Sequence, residues 1–288
     1  VKKYHRYTIP AQVGMVLVAG LLMTMGFGEA ATKLTLTGSS TVAPLALEIA
    51  KRFESLHPGI RVDVQSGGSS RGLADARQGL SDIGMVSRAL KPGENDVLAF
   101  PIARDGIAMI VHARNPIKSL SNGQIVAIYT GKVTRWSDLG GKDARITVVS
   151  KDDGRSTLEL FLQYFKLKAS DIKANVIIGE NEQGIKTVAG NPNAIGYVSI
   201  GTAEFDVMDG VPIKLLPMDG IAASVANVRN GKFPLSRILN LVTKNKPQGL
   251  TKEFIDYAQS AKVHDLIKEE FFVPLSTTPT QASRYVVM

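Results

Sequence analysis

Two periodicities alternate along this chain. Leu34-Thr35-Leu36 has the two-residue rhythm of a strand, and Leu45, Leu47, Ile49, Ala50, Phe53 and Leu56 recur at helical spacing over residues 44–56. His57-Pro58-Gly59 stops that helix. Ile60-Arg61-Val62-Asp63-Val64 alternates again as a strand. Residues 70–80 read as a helix closed near Gly79, and residues 82–86 as a short buried strand. This β-α-β-α-β order predicts a mostly parallel sheet with helices on both faces.

A second unit of the same class follows. Residues 107–111 predict a strand leading into Asn115-Pro116, the expected first crossing between two domains. Residues 121–129 predict a helix, 146–149 a strand, 156–165 a helix, and 193–198 a turn and strand. Lys214-Leu215-Leu216-Pro217 is the expected return crossing, with helices near 251–260 and 263–270 rejoining the first domain. The expected division places 32–110 and 221–288 in one lobe and 111–220 in the other. Two crossings make a two-strand hinge, and such a hinge leaves a cleft that a ligand can hold shut.

Residues 1–31 stand apart from this pattern. Lys2, Lys3 and Arg6 precede an apolar stretch over 13–27, and Gly28-Glu29-Ala30 supplies small residues for cleavage after Ala30 or Ala31. That is the layout of a secretory signal. The stretch is short for a membrane span and is broken by Gly14, Gly20 and Gly26. The chain contains no cysteine, so neither a disulfide nor a lipid-modified cysteine is expected. The expectation is a free periplasmic protein and a monomer. The 288 residues, 44% hydrophobic and 21% charged, suffice for two ordinary globular domains. A net charge of +8 suits an anionic ligand, whereas 6% aromatic content argues against stacked recognition of nucleic acid.

Candidate chemistry lies in three hydroxyl-and-glycine clusters, each where a strand should hand over to a helix. They are Gly38-Ser39-Ser40-Thr41, the run from Ser66 to Gly72, and Gly154-Arg155-Ser156-Thr157. Such junctions aim free backbone N–H groups and the positive end of a helix dipole at one spot, and phosphate is the usual anion there. A single cluster of this kind is most simply an N-cap. Three of them, two carrying arginine, point to an oxyanion site.

Several motifs carry a resemblance across residues 33–275. Thr37-Gly38-Ser39-Ser40-Thr41-Val42, the run from Ser66 to Gly72, and Asp82-Ile83-Gly84-Met85-Val86-Ser87-Arg88 are followed by Asn115-Pro116. Then come the run from Ile128 to Trp136 and Ala194-Ile195-Gly196-Tyr197. In order and spacing these resemble the phosphate-binding subunit of bacterial ABC phosphate importers. The resemblance implies an α/β, two-lobed periplasmic binding protein fold of type II. Each lobe is then a mostly parallel sheet flanked by helices, joined by a two-strand hinge. It also implies an inner-membrane ABC permease as partner. Ligand contacts carried over by position fall on Thr41 and the Val42 backbone, Ser69, Ser87-Arg88 and the loop from Lys151 to Thr157, with Ser40 beside them. The family usually has arginine where this chain has Lys151, and a hydroxyl where it has Arg155. Arg155 is expected to reach the anion in place of that arginine. Some members use an aspartate beside the Ser87 position to accept the phosphate proton, and Arg88 stands there in this chain. Asp153 is expected to pair with Lys151 or Arg155. The site set is thus Ser40, Thr41, Val42, Ser69, Ser87, Arg88, Lys151, Arg155, Ser156 and Thr157.

Enzymatic readings are weaker. His5, His57, His112 and His264 lack metal-ligand spacing, and no Gly-x-Ser-x-Gly elbow or Walker ending is present. Trp136 resembles a packing residue. No metal and no cofactor is expected. Phosphate capture for transport is the leading expectation. Sulfate, molybdate or tungstate binding, a sensing role, and less so a phosphatase remain alternatives.

Overall fold

Local chemistry sets the elements of the computed structural model, which describes residues 32–275 and so leaves the expected signal segment, residues 1–31, outside the described residues. β1 (Thr32–Gly38) buries Leu34 and Leu36 and turns into α1 (Ala43–Leu56). Pro44 sits in the first turn of α1, where a missing N–H breaks no helical bond. One face of α1 buries Leu45, Ile49 and Phe53, while Leu47 and Leu56 of the same apolar set stay exposed. The helix ends at His57, whose ring stacks on Phe53. β2 (Ile60–Ser66) and α2 (Ser69–Gln78) follow, and α2 stops at Gly79 in the left-handed conformation that glycine adopts without strain. β3 (Ile83–Val86) is wholly buried and leads to β4 (Leu98–His112), 15 residues long.

The next stretch runs through α3 (Asn122–Tyr129), opened by a Ser121–Gln124 capping box, β5 (Thr147–Lys151) and α4 (Ser156–Phe165). It continues with β6 (Val176–Ile178), α5 (Asn181–Gly190), β7 (Ala194–Ser199), α6 (Ile200–Met208), β8 (Ile213–Leu215) and α7 (Val225–Arg229). The chain then returns through β9 (Ser236–Thr243), α8 (Gly249–Ala258), α9 (His264–Glu269) and β10 (Val273–Pro274).

The strands line up as β2-β1-β3-β9-β4-β7-β5-β6, with β8 and β10 also paired to β4. The outer pairs β1/β2, β1/β3, β5/β6 and β5/β7 are parallel, as the β-α-β order predicts. The middle of the sheet is antiparallel, because β9 pairs with both β3 and β4, and β4 with β7 and β8. The sheet is therefore mixed. β4 belongs to both halves: residues 98–106 pair with β9 and residues 107–112 with β7 and β8. At the expected return crossing, Ile213–Leu215 pairs with β4 residues 110–112, and β9 then pairs with β4 residues 98–106.

Packing shows the two lobes. One core gathers Leu36, Phe53, Met85, Leu241, Phe254 and Ile267, and Val86 and Val242 on the opposite sheet face join Leu73 of α2. The other core gathers Met109, Val111, Tyr129, Trp136, Phe161 and Tyr197, and Ile110 turns to the opposite face with Val149, Ile185 and Val198. Successive strand residues thus feed opposite faces, each covered by helices. Trp136 is core, as expected, with its indole N–H donating to the Asn193 carbonyl at 3.0 Å. Among the described residues no helix is long and apolar enough to cross a membrane.

Candidate oxyanion site

Backbone contact without side chains makes the first wall of the site. Gly38, at the end of β1, has φ of 133°, and a Cβ there would lie 2.3 Å from the Met85 carbonyl oxygen. A Cβ on Gly72 would lie 2.7 Å from the Thr37 carbonyl oxygen. Only glycine lets β1, β3 and the first turn of α2 meet this closely. The close approach brings together hydroxyls from three separate segments. Ser69, the first residue of α2, has its Oγ 3.5 Å from that of Ser87 and accepts from the Ser87 N–H at 3.2 Å. Thr41, Ser69 and Ser87 are all buried.

Arg237 ties these hydroxyls to the other lobe. Its Nη2 donates to Thr41 Oγ1 at 3.0 Å, and its Nη1 to Thr157 Oγ1 at 2.9 Å and Ser87 Oγ at 3.4 Å. Asp105 on β4 fixes the guanidinium by accepting from its Nε and Nη2 at 3.0 and 2.8 Å, and both side chains are 1% exposed. The second oxygen of Asp105 accepts from the Gly201 N–H at 3.2 Å. From the second lobe, Asn181 donates to Thr41 Oγ1 at 3.1 Å and accepts from Lys151 Nζ at 3.0 Å. The α4 N-terminus brings Ser156 and Thr157, and the buried Ser156 hydroxyl has no hydrogen-bond partner among the described residues.

The cluster carries an excess of positive charge. Asp105 neutralises Arg237, but Lys151 is 3% exposed and no carboxylate lies within ion-pair distance of its ammonium among the described residues. Burial, and then the neighbouring Arg237, push the Lys151 ammonium down to about 7. A buried cation of this kind is stabilised by an anion or gives up its proton.

Of the expected residues, Thr41, Ser69, Ser87, Lys151, Ser156 and Thr157 come together here. Ser40 is half-buried and makes none of these bonds, and the Val42 N–H is held by Ser39 at 3.1 Å. Arg88 is taken by two carboxylates. Its Nη atoms donate to both Glu94 oxygens at 2.7 and 2.9 Å, and its Nε is 2.8 Å from Glu159. Arg155 donates to Glu180 at 2.8 Å, and its stem lies against Gly68. The expected pairing of Asp153 does not form, because Glu180 takes Arg155 and Asn181 takes Lys151; Asp153 is exposed. Sequence reasoning missed Arg237, Asp105 and Asn181. Arg237 has a visible signal, since it occupies the inward position of a strand whose other inward residues are Leu239 and Leu241. Asp105 likewise stands among the apolar residues of β4.

Comparisons place this geometry among known proteins. The model of the PBP superfamily domain matches residues 26–262. The phosphate-binding protein PstS of Bacillus subtilis is 30% identical over 256 residues, covering 87% of this chain and 83% of the relative. A structure from Clostridium perfringens, described as a phosphate ABC transporter substrate-binding protein with bound phosphate, superposes with a TM-score of 0.79 at 34% identity. That match spans 85% of this chain and all of the other. An ABC-type phosphate transport receptor from Vibrio cholerae gives a TM-score of 0.69 at 28% identity, over 84% of this chain and 100% of the receptor. The mixed sheet, the two cores, the glycine-tight hydroxyl cluster and these matches together place the chain in the PBP superfamily, within the family of the phosphate-binding PstS proteins.

Proposed function

We propose that this protein captures inorganic phosphate between its two lobes and delivers it to an ABC permease, with no covalent step of its own. The observation that carries this reading is the buried cluster around Arg237. Donors from both lobes converge there, beside a lysine that has no carboxylate at ion-pair distance and a serine hydroxyl that has no partner among the described residues. The resemblance to the Clostridium perfringens protein with bound phosphate supports the choice of anion. The proposed contacts are the hydroxyls of Thr41, Ser69, Ser87, Ser156 and Thr157, the N–H groups opening α4 and those opening α2 other than Ser70, and the cations Lys151 and Arg237. Arg88 and Arg155, held by Glu94, Glu159 and Glu180, serve the walls of the site instead.

The lobes divide at about Gly106 and between Leu235 and Ser236, because Ile221, Val228, Phe233 and Leu235 pack with the second core. Residues 1–31 direct export to the periplasm and are removed, and the mature protein acts as a monomer. Micromolar capture needs about −8 kcal/mol, within reach of several charge-assisted hydrogen bonds at ~1.5–3 kcal/mol each less the cost of desolvation. Calorimetric titration with phosphate, arsenate, sulfate, molybdate and tungstate tests the reading. Phosphate and arsenate are expected to bind in the micromolar range or tighter. A clear preference for sulfate or a metal oxyanion would overturn it.

A further inference from the structure

Lys151 closes β5 at the floor of the cluster, and its surroundings are unusual for a lysine. The side chain is 3% exposed and its ammonium has three hydrogens to place, yet among the described residues it bonds to one neutral acceptor, Asn181 Oδ1 at 3.0 Å. The charges around it come from four elements. Arg237 on β9 is a cation whose own charge is met by Asp105 on β4. Arg155, just before α4, is a second cation and is paired with Glu180. Glu180 and Glu182, at the start of α5, supply the negative side. Glu180 is shared with Arg155, and the Glu182 carboxyl is pushed up by burial and by Asp206, which weakens its charge. Tyr197 on β7 accepts from the Lys151 backbone N–H, but burial raises its hydroxyl to about 12, so it stays neutral. The protein itself therefore supplies too little negative charge to keep this ammonium ionised.

We propose that the protein takes up a proton together with phosphate, and that Lys151 Nζ is the atom that receives it. The inference rests on the reading of the cluster as a phosphate site. The step is an acid–base one: a solvent proton forms an N–H bond on the neutral amine as the anion arrives. No other bond changes. A bound dianion supplies the negative charge the walls lack, so the protonated amine becomes the stable form. The sign follows directly. With the free ammonium near 7, Lys151 is largely neutral above that pH before binding and charged afterwards, so affinity falls as pH rises from about 7 toward the ordinary lysine range. Below about 7 the amine is already protonated and the coupling fades. Arginine at this position would stay charged throughout and show no coupling.

Calorimetry with inorganic phosphate at about pH 8.5, in buffers of different ionisation heat, reads the proton count directly. The wild type should take up close to one proton per phosphate bound, and Lys151→Arg clearly fewer. Any proton that phosphate itself releases is common to both proteins and cancels in the difference. If the arginine does not fit, the Cε chemical shift of Lys151 in the wild type gives the same answer, moving toward the charged form on phosphate addition. Phosphate binding with buffer-independent heat and an unchanged Cε shift would overturn the proton coupling while leaving phosphate capture intact. An absence of any phosphate binding by the wild type would overturn the capture reading, and the coupling with it.

Discussion

At the scale of the residue, Arg237 has two roles that mutation can separate. It holds Asp105 in the interior, and it aims donors at Thr41, Thr157 and Ser87. Arg237→Met leaves a buried carboxylate with only the Gly201 N–H, and should cost about 3–5 kcal/mol in urea unfolding. Adding Asp105→Leu removes that stranded charge. The double variant should recover much of the stability and none of the phosphate affinity. Thr157→Ala, which removes one donor and little volume, should weaken phosphate binding about tenfold or more in calorimetry with a small change in stability. The hydroxyls of Thr41, Ser69, Ser156 and Thr157 stood out in the sequence because each sits in a local strand-to-helix junction, whereas Ser87, which follows β3 with no helix after it, came only from the resemblance. Arg237, Asp105 and Asn181 were missed, because their meaning lies in pairings between residues 30 to 196 positions apart. Arg88 shows the converse. Its charge was visible, but its direction is decided by Glu94 and Glu159, and the latter lies on another lobe.

At the scale of the element, the glycines of β1 and α2 matter more than the hydroxyls they carry. A methyl on Gly72 meets the Thr37 and Met85 carbonyl oxygens at 2.7 and 2.8 Å, and backbone there has no room to yield. Gly72→Ala should therefore cost ~1–3 kcal/mol in denaturant unfolding and weaken phosphate binding by displacing the α2 N-terminus. Gly190→Ala, at the exposed end of α5 with nothing near its Cβ, should stay within about 1 kcal/mol of wild type. Helices α1 and α2 were readable from apolar spacing and from the stops at His57-Pro58-Gly59 and Gly79. Strand β9 was not, since Arg237 and Asn240 interrupt its apolar run and their partners lie in distant segments. The antiparallel pairings of β9 with β3 and β4 were hidden with it, and β4 is antiparallel to β7 and β8 as well.

At the scale of the whole molecule, contacts between the lobes surround the site. Ser70 N–H donates to the Gly154 carbonyl at 3.1 Å. Glu159 on α4 lies 2.8 Å from Arg88 and 2.7 Å from Lys91 in the first lobe. Because Arg88 is almost buried, this pair is less screened by salt than an exposed one. Glu159→Gln should speed phosphate release about tenfold in stopped-flow displacement, with a smaller change in the association rate. The presence of two lobes was legible from two runs of α/β order. Where the chain crosses between them depends on which core claims residues 221–235, and that is a matter of packing rather than pattern.

In the proposed capture, one tetrahedral oxyanion sits where the two lobes meet, against Arg237 and Lys151. Crystals grown with arsenate test it most directly, because arsenic gives an anomalous signal that locates the anion without reference to the protein. A single strong peak is expected within hydrogen-bonding reach of Thr41, Ser69, Thr157 and Lys151. A peak elsewhere, with these side chains bonded only to one another in the arsenate-bound protein, would contradict it.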